Sequence, residues 1–227
     1  MATSRISRIS SASSEANTVT LGTHQLNDLI VISAFRDGSA TNPTLPAGWT
    51  LITDTSDGTL CSITVGWKLA ISGADTSGTW SNATGMLCHV YRGADPVAPF
   101  GTIQFDGGAS ATLTYGDTTG ATKGRMNNQW FVAFAHHRSV DTTTMTNAPT
   151  GYTLVITALG VTQDQVSFDT NGPVEAGFAS NTVATGGTSS GFCTVQLPLY
   201  PPMPPENNFQ FVRSISTGIM SVTEKIR

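Results

Sequence analysis

Four histidines are the side chains in this sequence best suited to metal or acid–base chemistry. His136 and His137 adjoin Arg138 at the end of a predicted strand, where neighbouring side chains point to opposite faces. The two imidazoles therefore cannot easily bind one metal ion, and no Cys-x-x-Cys or His-x-x-x-His spacing lies near them. His24 and His89 are isolated in the sequence. We expect structural or surface roles for all of them, with no metal and no cofactor.

Carboxylates are the second candidate group, because a glycoside hydrolase needs a pair of them at its scissile bond. Such a pair could be hidden among the aspartates of the predicted loops, although loop aspartates more often bind their own backbone in turns. The sequence has no calcium-loop pattern, no Gly-x-Ser-x-Gly elbow and no phosphate loop. We predict that the chain is not an enzyme. A glycan-degrading activity is the third of the candidate functions. The aspartates are Asp37, Asp54, Asp57, Asp75, Asp106, Asp117, Asp141, Asp164 and Asp169.

Two aromatic side chains, Trp80 and Tyr91, are candidates for contact with a glycan, since an exposed ring can stack on a sugar. The competing interpretation places both rings in the core or at its rim, because a large interior must be filled by only four tryptophans and a few other rings. Both interpretations are open at this point.

The three cysteines, Cys61, Cys88 and Cys193, are odd in number and contain no closely spaced pair. This argues against a disulfide framework and fits synthesis in a reducing cytoplasm. Leu87–Val90 and Phe192–Val195 are similar, so we expect Cys88 and Cys193 to occupy equivalent places in two repeats, as buried apolar side chains.

The composition favours a β protein of low charge. Charged residues make up 11% of the chain, against roughly 25% in ordinary soluble proteins. Apolar residues reach 39% and the net charge is only −4, which is not a disordered composition. No stretch has the length of a membrane helix or a secretory signal, so no membrane partner is expected.

The charges are unevenly distributed along the chain. Both end segments are basic and residues 9–200 are acidic, which argues against nucleic acid as a partner. The basic ends either dock on neighbouring copies of the chain or are ordinary solvated termini.

The chain contains an internal repeat. Asn27–Val31 followed by Pro46–Ile52 is similar to Asn128–Val132 followed by Pro149–Val155. Two copies of one unit are too few for a solenoid, so we expect one domain whose halves cover each other's apolar faces. In the Pro-x-Gly-aromatic unit, glycine permits a sharp turn and the aromatic ring, Trp49 or Tyr152, anchors the following strand in the core.

Short apolar runs between turn clusters predict an all-β fold: an antiparallel, jelly-roll-like β-sandwich of eight or more strands, built from two similar halves. The body spans 1–200, with repeats at about 20–100 and 125–199. One helical turn is expected at Ile71–Ser77, and turns are expected at Asp37–Ser39, Asp57–Gly58, Asp106–Gly108 and Thr185–Gly187. The predicted strands are Leu29–Phe35, Leu60–Ala70, Met86–Tyr91, Ala111–Tyr115, Trp130–Ala135, Tyr152–Thr157, Val174–Phe178 and Phe192–Leu199.

A proline-rich spacer at 198–205 predicts a stiff boundary before a C-terminal arm, residues 201–227. Asn208–Ile215 and Ile219–Ile226 read as a β-hairpin with its turn at Ser216–Gly218. An isolated hairpin is marginal in water, so the arm must dock on the body or on another molecule. The candidate interface residues are Phe209, Phe211, Arg213, Ile215, Lys225 and Arg227.

A series of motifs in the first repeat resembles a module of tailed-bacteriophage virion proteins. The resemblance covers residues 20–100 well and 125–199 weakly through the repeat, and it does not include the arm. The usual module has glycine where this chain has Asn27. The motifs are Asn27-Asp-Leu-Ile-Val, Pro46-Ala-Gly-Trp-Thr-Leu-Ile, Val65-Gly-Trp-Lys-Leu-Ala, Gly78-Thr-Trp-Ser and Val90-Tyr-Arg-Gly-Ala-Asp-Pro.

The resemblance implies a β-sandwich structural or adhesion module, of the kind found in tail-fibre, minor tail and head-surface proteins, without a catalytic site. We therefore expect a structural virion component: a head decoration or spike protein, or a small tail, collar or baseplate part. Its partners would be other virion proteins and copies of itself, assembled in the cytoplasm of the bacterial host. The alternative is a carbohydrate- or receptor-binding adhesion module that contacts a host surface glycan.

Overall fold

A computed structural model describes residues 6–119, 129–138, 145, 147–160, 162–174, 177–178, 181–184, 189–203, 215–217 and 220–222, with only the backbone at 181–184, 215–217 and 220–222. The described strands, in chain order, are β1 (Ser7–Ser14), β2 (Leu29–Asp37), β3 (Thr50–Ser56), β4 (Cys61–Leu69), β5 (Gly85–Arg92), β6 (Gln104–Ser110), β7 (Thr112–Tyr115), β8 (Trp130–His137), β9 (Thr153–Leu159), β10 (Asp164–Asp169), β11 (Asn181–Ala184), β12 (Ser190–Leu199), β13 (Ile215–Thr217) and β14 (Met220–Val222). No helix in these ranges is long and apolar enough to cross a bilayer.

Two five-stranded antiparallel sheets form the body, which confirms the predicted all-β sandwich. The first sheet has the order β1-β5-β2-β4-β3, and the second has the order β6-β12-β8-β10-β9. Both orders follow one scheme, because each sheet is built by one repeat. The chain completes one sheet before it begins the other, so the connectivity is that of a duplication and not that of a jelly roll. Each copy begins with its own edge strand, β1 or β6, and is therefore longer than the sequence similarity indicated.

The two edge strands β3 and β9 show the duplication in detail. Gly48 and Gly151 precede them with φ values of 84° and 85°, in the left-handed region that favours glycine. The amide of the following residue, Trp49 or Tyr152, donates to the carbonyl of the proline three residues before it. Each strand then has a one-residue bulge near its start. The prediction that the two units occupy related places is confirmed.

The two anchoring rings differ in burial. Tyr152 is buried and its hydroxyl donates to Gln196 Oε1 at 2.6 Å. Trp49 is only partly buried: it packs edge-on against Trp80 and lies beneath the Lys68 ammonium, 5.1 Å from the ring centroid. The expectation of two largely buried rings is met in full only by the tyrosine.

Apolar side chains cover both faces of both sheets, which explains why β2 and β8 are apolar at most positions on both of their faces. One core lies between the sheets and contains residues of both repeats. A second lies outside the first sheet, where Val19, Leu45 and Trp80 cover it, and a third lies outside the second sheet beneath Leu113 and Tyr115. The reason is the strand order. Because β2 and β3 are not neighbours, their connection must cross a sheet face and thereby covers it.

Cys88 and Cys193 are not equivalent, so that prediction is wrong. Cys88 points into the core outside the first sheet, whereas Cys193 points into the core between the sheets. The sequence similarity aligns the two segments in a different register from the one that their strands have in the sheets. Because side chains alternate between the two faces of a strand, a shift of one residue moves every side chain to the opposite face. Both cysteines, and Cys61, are free and buried as expected.

Several local predictions also need correction. Asp106–Gly108 lies inside β6 and is not a turn, and Ile71–Ser77 forms turns without a helix. Of the predicted strand Val174–Phe178, the described residues 174, 177 and 178 belong to no strand. Val174 makes a single bridge to Gln129. The predicted turn at Thr185–Gly187 lies outside the described residues.

The N-terminal basic segment is part of the body, whereas the basic side chains of the C-terminal arm are not described. Arg8 lies in β1 and forms an ion pair with Asp169 of the second sheet, so the N-terminal strand belongs to the body. In the C-terminal arm β13 pairs with β14, with Thr217 opposite Met220, so Ser216 and Thr217, which were predicted to lie in the turn, belong to a strand. Phe209, Phe211, Arg213, Lys225 and Arg227 lie outside the described residues, and only the backbone of Ile215 is described.

The duplication supplies a matched pair of substitutions. Gly48→Ala should cost about 1–2 kcal/mol of unfolding free energy, from the left-handed backbone alone, because a methyl group there meets no atom within 4 Å. Gly151→Ala should cost roughly 1–3 kcal/mol more, because its methyl group would lie 2.2 Å from the Phe178 ring. Urea unfolding of both variants checks this. Equal losses would show that the two turns are not packed as described.

Candidate functional site

Two serine–histidine pairs join the sheets through the central core. His89 of β5 contacts Ser167 of β10, with 2.7 Å between Nε2 and Oγ. His136 of β8 contacts Ser33 of β2, with 2.8 Å between Nε2 and Oγ. A serine hydroxyl within hydrogen-bond reach of an imidazole is the arrangement that activates a nucleophile in many hydrolases. These pairs are therefore the first groups to test for chemistry.

The pair at His89 extends into a longer polar network. His89 Nδ1 lies 2.7 Å from the Tyr91 hydroxyl, which donates to Asp169 Oδ2 at 3.2 Å. Arg8 also donates to Asp169. A neutral imidazole with its proton on Nδ1 satisfies all of these contacts, because it donates to Tyr91 and accepts from Ser167. The contacts run from serine through histidine and tyrosine to aspartate. The arrangement resembles a catalytic triad with a tyrosine hydroxyl between the histidine and the aspartate.

Burial sets the role of this network. Ser33, His89, Tyr91, His136, Ser167 and Asp169 are all fully buried between the two sheets. Burial lowers the pKa of His89 and of His136 to about 3, so both imidazoles are neutral near pH 7. Burial also raises the pKa of Tyr91 well above its ordinary value. A substrate cannot reach a hydroxyl sealed in this way, and the pairs act as hydrogen-bonded links between the sheets.

Equivalent positions of the two repeats contact each other at one end of the sandwich. Phe35 and His136 are equivalent, and their rings stack with centroids 5.0 Å apart. Asp37 and Arg138 are equivalent, and they form an ion pair. Contact between equivalent positions is expected next to a two-fold axis, as in an isologous dimer interface. The two halves therefore pack about an approximate two-fold axis within one chain.

A sulfur contact lies in the same core. Cys61 of β4 and Cys193 of β12 are 3.6 Å apart at Sγ and belong to different sheets. The hydrogen bond to Cys193, and then burial, raise the pKa of the Cys61 thiol. The raised pKa disfavours the thiolate of Cys61, which is the reactive form, and its thiol has a structural role in the buried core.

The surface has one notable cleft in the described part of the chain, an open space of about 610 Å³ between residues 18–24 and 73–79. His24 spans it, with Nδ1 2.7 Å from the Gly22 carbonyl and Nε2 accepting from the Asp75 amide at 3.1 Å. The Asp75 carboxylate accepts from the Ile71 amide at 2.8 Å. These contacts close the two loops and occupy both imidazole nitrogens. The described residues that line the cleft include no Trp, Tyr or Phe ring on which a sugar could stack.

The candidate glycan-contact residues are not at the surface. Trp80 and Tyr91 are both fully buried. The Trp80 indole donates to the Ser77 carbonyl at 3.1 Å and packs against Trp49, while Tyr91 belongs to the buried network. The interpretation of these rings as glycan contacts is therefore wrong for this structure, and the core interpretation is confirmed.

The aspartates divide into two groups. Asp57 and Asp117 accept backbone amides of their own turns, as expected for loop aspartates. Asp164 and Asp169 belong to β10 and are fully buried, so their assignment to loops is wrong. The same assignment is wrong for Asp37, Asp54 and Asp106, which lie in β2, β3 and β6. Asp141 lies outside the described residues. No group of three or more histidines, cysteines or carboxylates in the described ranges has the geometry of a metal site.

Residues of the motifs Asn27-Asp-Leu-Ile-Val and Val90-Tyr-Arg-Gly-Ala-Asp-Pro hold turns and loops of the first repeat. Asn27 has a φ of 69°, which explains why glycine suits that position. Arg92 donates two hydrogen bonds of 2.8 Å to the buried Asp28 carboxylate. Burial alone would raise the pKa of Asp28, but the hydrogen bonds from Arg92 and from the Gln25 amide lower it. Asp95 Oδ1 accepts the Val97 and Ala98 amides and fixes the loop that leads to the second repeat.

Sequence reasoning missed the inter-sheet network. It treated His89 as isolated, because its partners Ser167 and Asp169 come from the other repeat. The available signal was a polar residue within an apolar strand, as at Ser33 and His89. Such a residue needs a buried partner, but the sequence does not identify that partner.

Comparison of the chain with protein-family models, with curated proteins and with solved structures gives no significant match.

His89 and His136 predict a loss of stability in mild acid. Their folded pKa of about 3 lies below the ordinary value of 6.5, so the unfolded chain binds protons first as pH falls. Stability should be complete above pH 6.5 and should decline toward pH 3. Between pH 6 and 5, where carboxylates bind few protons, each histidine should contribute about 1.4 kcal/mol per pH unit. Urea unfolding at these pH values measures the slope.

The matched variant is His136→Gln, which should remove about half of the histidine contribution to that slope even if it lowers stability. Nitrogen-15 NMR of the imidazoles gives an independent measurement, because both rings should stay neutral at pH 5 in the folded chain. Protonation of either ring near pH 6.5 would contradict their sealed position.

Proposed function

We propose that this chain is a non-enzymatic structural component of a tailed-phage virion, which binds other particle proteins and copies of itself. Head decoration, a spike, and a small tail, collar or baseplate part are the candidate positions. It would act on the particle after assembly in the cytoplasm of the bacterial host.

One observation carries this proposal: the groups able to do chemistry are used to join the two sheets. The serine–histidine pairs and the Arg8–Asp169 ion pair cross the central core, where substrates have no access. Such contacts favour a rigid scaffold, because buried hydrogen bonds between the sheets fix the position of one sheet on the other. A rigid body with exposed strand edges and loops suits a structural component that binds its partners through complementary surfaces.

The roles of the shared motifs give further support. Asn27, Arg92 and Asp95 hold turns and loops of the scaffold, and Trp80 fills a core. Because these residues support turns, loops and a core, the resemblance favours a shared structural module over a shared catalytic activity. The low content of charged side chains, 11% of the chain, also suits surfaces that become buried in an assembly.

A glycan- or receptor-binding role is the alternative, and the cleft at 18–24 and 73–79 is where it would be sought. Hydroxyl groups of Thr18, Thr20 and Thr76 line that cleft. Sugar sites usually add an aromatic platform, and the described lining has no Trp, Tyr or Phe ring. The structure therefore offers no specific observation in favour of this alternative.

The proposal is tested on purified particles. Antibodies raised against the recombinant chain should label phage particles that are banded in a density gradient, and mass spectrometry should find the chain at a fixed ratio to the major capsid protein. Absence from washed particles would contradict the proposal. A glycan array and a polysaccharide-depolymerisation assay on the same preparation test the two rivals, and a saturable signal in either would favour that rival.

Deletion of residues 201–227 tests the contribution of the arm. The body should stay folded, because the described strands of its two five-stranded sheets end at Leu199, while incorporation into particles should weaken. Circular dichroism checks the fold, and particle-bound protein is measured by immunoblotting. Incorporation equal to that of the full chain would show that the arm is not an assembly device. Failure of the body to fold would show that the arm belongs to its core.

A further inference from the structure

The four outer strands of the two sheets differ in how their free edges are protected. Native sheets usually protect an edge with charges, bulges or a covering segment, since an unprotected edge pairs with other chains. β1 contains Arg8, β3 contains Asp54 and β6 contains Asp106. β9 has the sequence Thr-Leu-Val-Ile-Thr-Ala-Leu and contains no charged residue.

The comparison of β9 with its counterpart β3 is the most informative, because the duplication makes the two strands equivalent. Asp54 of β3 is exposed and accepts from Asn42 Nδ2 at 2.8 Å. The equivalent residue of β9 is Thr157. Near the strand end, Ser56 of β3 corresponds to Leu159 of β9, whose side chain is 47% exposed. The second half of β9 is therefore apolar where the same part of β3 is polar.

The free side of β9 is available for pairing. β9 is the last strand of its sheet, so its outer backbone groups have no strand partner in the described part of the chain. Leu154 is also exposed, at 38%. Backbone pairing gives affinity to an added strand, and burial of such leucines would add hydrophobic stabilisation.

We propose that the free edge of β9 is a self-association surface, on which a second copy of this chain adds its own β9 in antiparallel orientation. The resulting interface is isologous, because the same strand serves both copies, and it joins two five-stranded sheets into one. The inference concerns the chain itself and goes beyond its proposed place in a virion.

The charges beside β9 favour a second copy in this orientation. β1 lies next to β9 and runs in the same direction: Arg8 contacts Asp169, the partner of Thr153, and Glu15 lies against Gly160 just after β9 ends. In an antiparallel pair, the Glu15 end of one copy lies beside the Arg8 end of the other. Arg8 is partly exposed, at 23% of its side chain, and Glu15 is exposed. A parallel arrangement would place like charges together.

Analytical ultracentrifugation of the full chain over a wide concentration range tests the proposal. The wild type should show a reversible monomer–dimer equilibrium. Thr157→Asp, which copies Asp54 at the equivalent place, should raise the dimer dissociation constant by at least about tenfold, because like charges would meet at the interface. Leu154→Lys should have the same effect. A wild type that stays monomeric at every concentration would overturn the proposal.

Matched controls locate the interface. Leu51→Lys changes the equivalent exposed leucine of β3 and should leave the dissociation constant unchanged. Thermal unfolding of each variant verifies that it is folded. An equal loss of dimer in Leu51→Lys and Leu154→Lys would overturn the assignment to β9. Loss of the dimer on deletion of residues 201–227, with β9 intact, would identify the C-terminal arm of the neighbouring copy as the occupant and would also overturn it.

Discussion

Neither sheet of this protein can be stable without cover, because each is apolar on both faces. This constraint follows from the strand order. In the first sheet another strand separates β1 from β2, β2 from β3 and β4 from β5, while β3 and β4 are neighbours, and the second sheet repeats this scheme. The connections must cross a face, and their Trp80, Leu45 and Val19 side chains bury it. The remaining face of each sheet is then covered by the other repeat. Duplication thus solves a packing problem that one copy could not solve alone.

The polar groups of the central core make this packing specific. Apolar burial has no direction, whereas the hydrogen bonds between Ser33 and His136 and between Ser167 and His89 fix the position of one sheet on the other. At the approximate two-fold axis, Asp37 meets its equivalent Arg138, and Phe35 meets its equivalent His136. Two identical charges at such a site would repel, so divergence of the repeats made complementary pairs possible. The serine–histidine pairs resemble catalytic groups, but their role here is to fix the position of one sheet on the other.

The sequence was informative where local chemistry decides the structure. Glycine in the Pro-x-Gly-aromatic unit and the apolar runs of β2 and β8 predicted turns and strands correctly, because these features depend on neighbours in the chain. β1 and β6 were missed, since a serine-rich strand and one containing Asp106–Gly108 resemble loops until a partner strand is present. The faces of Cys88 and Cys193 depended on register, which similarity between short apolar segments does not determine. The buried network required contacts between residues of different repeats, such as His89 and Ser167.

The central claim is that the two halves form one cooperative unit held by a shared, sealed core. Differential scanning calorimetry of the full chain at pH 7 tests this most directly, because two independent halves would unfold separately. We predict a single transition for the body, with a calorimetric enthalpy equal to the van't Hoff enthalpy. Two resolved transitions, or a calorimetric enthalpy about twice the van't Hoff value, would contradict the account.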